Sequence, residues 1–121
     1  MRSFDLARIA WQETAADGSK YALLEGDKHA PGGSFSYLFF LPAGLWDRPH
    51  WHTGDARILV LEGALKVGLG PDFDPAATRL YPAMSLLVVP RDQVHFDGAD
   101  VDTLVFGVAV GPWETRYVKP A

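Results

Sequence analysis

Two of the four histidines stand as a His-x-His pair, His50 and His52. On a strand, residues two apart point to the same face, with Cα atoms roughly 6.5–7 Å apart. Two imidazoles so placed can converge on one ion at about 2.0–2.1 Å per Zn–N bond. A third ligand must come from elsewhere. The chain contains no cysteine, so any metal must be held by His, Asp or Glu, and disulfides and a cysteine nucleophile are excluded. A chance pair at a sheet surface is the alternative for an isolated His-x-His. Downstream stands Pro90-Arg91-Asp92-Gln93-Val94-His95, which offers a third imidazole.

The elements that must position these residues are short strands. Twelve glycines and nine prolines fall between short apolar runs, the pattern of strands joined by turns. Strands are expected at 21–25, 35–41, 57–61, 64–69, 78–81, 85–89, 102–110 and 113–118. The stretch 46–52 is a further short strand that Pro49 confines to an edge or a bend. Glu62-Gly63 between 57–61 and 64–69 predicts a tight hairpin. Helical periodicity is absent, apart from a turn or two in 5–14 and 72–77. About eight to ten closely spaced strands argue an all-β sandwich or small barrel.

With 121 residues, 48% of them hydrophobic, the expectation is one domain over 1–121 with its core at about 20–118. Net charge is -4, and the eleven Lys and Arg are scattered, so no nucleic-acid partner is expected. No apolar run approaches the roughly 18 residues that span a bilayer, so no membrane partner is expected either. Asp5 and Arg8 interrupt the N-terminal apolar stretch. No signal peptide is therefore expected, and a cytoplasmic location follows as an expectation.

GLWDRPHWHTGDARILVLEG at 44–63 and AMSLLVVPRDQVH at 83–95 resemble the two motifs of the cupin family. The first family motif is Gly, five residues, His-x-His, three or four residues, Glu, six residues, Gly. The second is Gly, five residues, Pro-x-Gly, two residues, His. GLGPDFDP, LYPAMSLLVVP and VGPWETRYVKP are similar to stretches of short single-domain cupins, so the resemblance spans roughly residues 20–120. It implies a small cupin β-barrel, or jelly roll, and a metal at His50, His52 and His95. Three positions depart from the pattern: the glutamate is Ala56, flanked by Asp55 and Arg57, the Pro-x-Gly glycine is Asp92, and the opening glycine is Ala83.

The missing glutamate leaves three outcomes: a three-His metal, Asp55 reaching in, or an apolar cup without metal. The first is expected, because three ligands leave positions open for water and substrate. Within the cupins, three-His iron sites occur in β-diketone-cleaving and thiol dioxygenases. Three neutral imidazoles leave the full charge of a divalent ion uncompensated, which favours anionic or enolisable chelating substrates. The expectation is thus an Fe(II) dioxygenase acting on a small organic molecule. A non-redox isomerase, lyase or hydrolase using Zn, Mn or Ni is the alternative, as is a barrel that only binds a small ligand.

No general base is selected by spacing, although Asp55, Glu62 and Tyr37 are available. Asp55 is the catalytic candidate, against a place in the Thr53-Gly54-Asp55 turn bonded to backbone or an orienting role beside a ligand imidazole. His29 reads as a solvated loop residue, and Asp92, Asp97, Asp100 and Asp102 as solvated turn residues. Trp51 should face away from the metal. Trp46, Phe35, Tyr37, Phe39 and Phe40 are wall or core, and alternation puts Tyr37 and Phe39 on one face, Leu38 and Phe40 on the other. A homodimer is expected, since exposed sheet faces and edges need cover.

Overall fold

The computed structural model describes residues 1–119, so the last two residues of the expected domain lie outside the described residues. Eleven strands are found among them: β1 Glu13–Thr14, β2 Lys20–Glu25, β3 Ser34–Leu41, β4 Trp46–His52, β5 Ala56–Glu62, β6 Ala64–Leu69, β7 Arg79–Pro82, β8 Leu86–Val89, β9 His95–Gly98, β10 Thr103–Val110 and β11 Thr115–Tyr117. A 3-10 turn at Leu6–Arg8 precedes them, capped by the Asp5 carboxylate, which accepts from the Ala7 N–H. The strands form two antiparallel sheets. One has the order β1-β2-β3-β10-β5-β8 and the other β11-β4-β9-β6-β7. This is the all-β jelly roll of the cupin fold.

The strands β5 and β6 do not form the hairpin expected from Glu62-Gly63. β5 pairs with β10 and β8, and β6 pairs with β7 and β9. Gly63 instead carries the chain from one sheet to the other. It has φ +77°, and a Cβ there would lie 2.3 Å from the Asp102 carbonyl oxygen, so only glycine fits both the left-handed turn and the close approach. Asp92 also has a left-handed φ, +66°. Aspartate tolerates that conformation better than most residues, which suits it to a position where the cupin pattern has glycine.

Phe35, Tyr37, Phe39 and Leu41 of β3 face the interior between the sheets. Alternation therefore sends Leu38 and Phe40 to the outer face, where the N-terminal segment lies over Leu24, Ser36 and Phe106. The interior holds two apolar clusters. One contains Leu41, Val60, Leu65, Leu87, Ala99 and Val105, and the other Phe35, Ala56 and Ala109. On the far side of the second sheet, Phe73 packs edge-on against both Trp46 and Phe96. Burying such rings contributes roughly 1.5–3 kcal/mol each, and this cover holds β4 and β9 flat against the interior.

Candidate metal centre

The pairing of β4 with β9 builds the site. His50 stands opposite His95, and Asp47 opposite Asp97. Between those pairs the register slips by one, so that Arg48 and Pro49 together oppose Phe96. This is a β-bulge, and it realises the bend that Pro49 required. Asp47 and His50 are three apart and would lie on opposite faces of a regular strand. The extra residue brings them to the same face. On β9, His95 and Asp97 share a face by simple alternation.

One ligand atom each from His50, His52 and His95 lie within 4.8 Å of one another, and Asp47, His50 and Asp97 form a second such group. The imidazoles are held from behind. His50 Nδ1 donates to the Arg48 carbonyl at 2.5 Å, and His95 Nδ1 donates to the Gln93 carbonyl at 2.9 Å. Each bond places the proton on Nδ1 and leaves the Nε2 lone pair for an ion, the usual arrangement behind a metal-bound histidine. His52 Nδ1 lies 3.0 Å from the Thr115 hydroxyl on β11, and its ring stacks on Trp113 at 4.4 Å.

Burial, with the neighbouring His50 and His95, pushes His52 down to about 3. Burial also lowers His95. Both rings stay neutral near pH 7, the form that binds a metal. His50 is 2% exposed, and its Nε2 lies 3.6 Å from Asp47 Oδ2 and 3.6 Å from Asp97 Oδ1. Burial, then the Asp47 charge, pushes the Asp97 carboxyl up to about 7. Tyr117 donates its hydroxyl proton to Asp47 Oδ1 at 2.6 Å. Three imidazoles beside two carboxyl groups are a donor set that fits a divalent ion, and His50, His52 and His95 are the residues that could hold it.

Sequence reasoning missed Asp47 and Asp97. Asp97 is no solvated turn residue: it lies in β9 and lines the cavity. Its position two after His95 was the available signal. For Asp47 the signal was Pro49, whose bulge moves it to the histidine face. Asp55 is elsewhere. It is exposed, and its carboxylate accepts the Arg91 N–H at 2.7 Å, tying the turn after β4 to the turn before β9. Ala56 is 1% exposed within the cluster of Phe35 and Ala109, a methyl where the family pattern has a carboxylate. Glu62 and His29 are exposed. Trp51 lies beneath Arg116, 5.4 Å from its guanidinium.

The histidines open into a cavity of about 350 Å³, a small-molecule size. Among the described residues, Asp47 and Asp97 are its only carboxylates, and its walls include Phe35, Tyr37, Phe39 and Trp113. Trp46 and Phe40 are not in those walls. Among the described residues no helix is long and apolar enough to cross a membrane.

No family model and no curated relative matches the sequence. Solved structures do match its shape. The polyketide cyclase RemF from Streptomyces resistomycificus superposes with TM-score 0.76 at 20% identity, covering 100% of this chain and 87% of the other. KdgF from Halomonas sp. gives 0.69 at 20%, covering 91% and 93%. A candidate acetylacetone dioxygenase from Methylibium petroleiphilum gives 0.70 at 19%, covering 99% and 82%. The shared property is the cupin fold.

Proposed function

We propose that this chain is a metal-dependent enzyme that moves a proton at carbon beside a carbonyl group of a small, largely apolar substrate. The observation behind it is the carboxylate pair. Asp47 and Asp97 are the only acids in the cavity wall among the described residues, and both lie 3.6 Å from His50 Nε2. A divalent ion held by His50, His52 and His95 supplies Lewis acidity toward a carbonyl oxygen. One member of the pair of Asp47 and Asp97 takes the proton from the adjacent carbon and the pair returns a proton to carbon, an isomerisation or exchange that needs no leaving group. Tyr117 orients Asp47. The apolar walls exclude water and strengthen these charges.

A second reading keeps the Fe(II) dioxygenase of the sequence analysis. The all-imidazole donor set supports it, as does the likeness to the candidate acetylacetone dioxygenase. Both readings use an enolisable substrate, and they part at dioxygen.

The test is solvent-deuterium incorporation beside the carbonyl of a panel of aryl ketones, followed by NMR under argon with zinc-, manganese- or iron-loaded protein. Exchange without oxygen that is lost in Asp97→Asn is the expected result. Oxygen uptake confined to the iron form, with no anaerobic exchange, selects the dioxygenase. Neither activity with any loaded metal leaves only the ligand-binding barrel.

The proposed assembly is a homodimer. Leu86 and Val88 of edge strand β8, with Val108 and Val110 of β10, are exposed on the outer face of the six-stranded sheet. Sedimentation at equilibrium decides it: a single species of 13.3 kDa overturns it.

A further inference from the structure

The cavity has a second polar pole apart from the histidines. The Tyr21 hydroxyl is buried and has no hydrogen-bond partner. Tyr21 lines the cavity and stacks on Tyr37, ring centroids 5.7 Å apart. Buried hydroxyls are nearly always paired, so an orphan in a cavity wall marks the place of a missing acceptor. Lys28 also lines the cavity, with its ammonium 5.2 Å from the Tyr21 ring centre. Among the described residues no carboxylate lies within 4.0 Å of it. Glu13, opposite Tyr21 in register, is exposed.

This pole is held at a set position relative to the metal centre. The Lys28 carbonyl accepts the Trp113 N–H at 2.7 Å, and the Trp113 ring stacks on His52. Gly111 and Gly32 stitch the same loop to the end of β10 through a further backbone bond at 2.9 Å. Tyrosine hydroxyl and ammonium are both donors, and together they suit an anion. A chain of touching rings joins the two poles along the wall, from Tyr21 through Tyr37, Phe35 and Trp113 to His52.

We infer that Tyr21 and Lys28 form a subsite for the carboxylate of an aromatic substrate whose opposite end, a carbonyl group, meets His50, His52 and His95. The far end of that ligand rests on the proposed metal-dependent chemistry, and the Tyr21–Lys28 pole does not.

The experiment compares three probes on zinc-loaded protein by calorimetry: benzohydroxamate, 4-carboxybenzohydroxamate and 4-(carboxymethyl)benzohydroxamate. At least one carboxylated probe should bind about ten-fold more tightly than benzohydroxamate. Lys28→Met and Tyr21→Phe should each remove most of that gain while benzohydroxamate still binds, which also shows that the variants fold. No gain with either length, or a gain that survives both substitutions, overturns the inference and leaves the metal reading intact. If the protein takes up no zinc, the metal reading fails. The pole is then tested by 4-methylbenzoate on metal-free protein. Binding lost in Lys28→Met supports it, and absent or unaltered binding overturns it.

Discussion

Asp47 and Asp97 share the His50 ring edge, yet their surroundings differ. Asp47 accepts the Tyr117 hydroxyl, whereas burial and the Asp47 charge hold Asp97 in its protonated form to a higher pH. Asp97→Asn keeps the size and removes the charge. It should lower the rate of carbon-bound proton exchange about 10²–10⁴-fold with zinc content unchanged by elemental analysis. Equal loss of metal and activity would instead make Asp97 chiefly a ligand. His52→Ala should abolish stoichiometric metal, and a variant retaining one ion per chain would refute the three-histidine centre. Protons provide a separate check on the metal-free protein. The folded-state value of His52 lies near 3 against an ordinary 6.5, so below pH 6.5 the unfolded chain binds more protons there than the native one. Stability is therefore intact above pH 6.5 and is lost as pH falls toward about 3. Asp97, pushed up to about 7, titrates in the opposite sense over the same window. The His52 contribution is therefore read as the difference in urea midpoint between the protein and His52→Gln. That difference should shift against the parent protein as pH falls from 6.5 toward about 3, and a pH-independent difference would contradict the burial of a neutral His52.

At the scale of elements, two local irregularities place the chemistry. The bulge at Arg48 and Pro49 turns Asp47 toward the histidines, and Gly63 switches the chain between sheets. Gly63→Ala forces a side chain into a left-handed turn and against the Asp102 carbonyl. It should cost at least about 1–3 kcal/mol, read as a lower urea midpoint. An unchanged midpoint would mean that β5 and β6 can be joined another way. The motif spacing announced that glycine, but the same two letters, Glu62-Gly63, also fitted a hairpin. Local sequence could not choose between them, because the choice depends on β10 being available as the partner of β5. Pro49 likewise announced a bend without saying whether the strand lay at an edge or inside a sheet. β4 lies inside, between β11 and β9.

For the whole molecule, one sheet carries all three histidines, on its neighbouring strands β4 and β9. A metal that binds only the folded form raises stability by mass action, about 2.7 kcal/mol at free metal one hundred times its Kd. Chelation with EDTA should lower Tm without loss of the β-sheet circular dichroism. An identical Tm in both states would argue against a bound ion. Val88→Lys on the exposed face of β8 should convert the proposed homodimer to monomer in sedimentation. Its Tm at high dilution should move little, since Val88 is exposed.

What the sequence by itself determined was what short-range rules can reach. The alternation of strands, the glycine and proline turns and the two spaced motifs pointed to the cupin barrel. His50 and His52 shared a face because they are two apart on one strand. The tertiary structure decided which face was inward for Tyr37 and Phe39. It also set Asp55 aside in a turn beside Arg91, brought Asp47 and Asp97 to the histidines, and aimed Tyr21 into the cavity without a partner. Each of these depends on register between strands distant in the chain, or on a bulge that slips that register by one. Alternation along a single strand holds neither kind of information, because a slip of one residue reverses every face while leaving the sequence pattern unchanged.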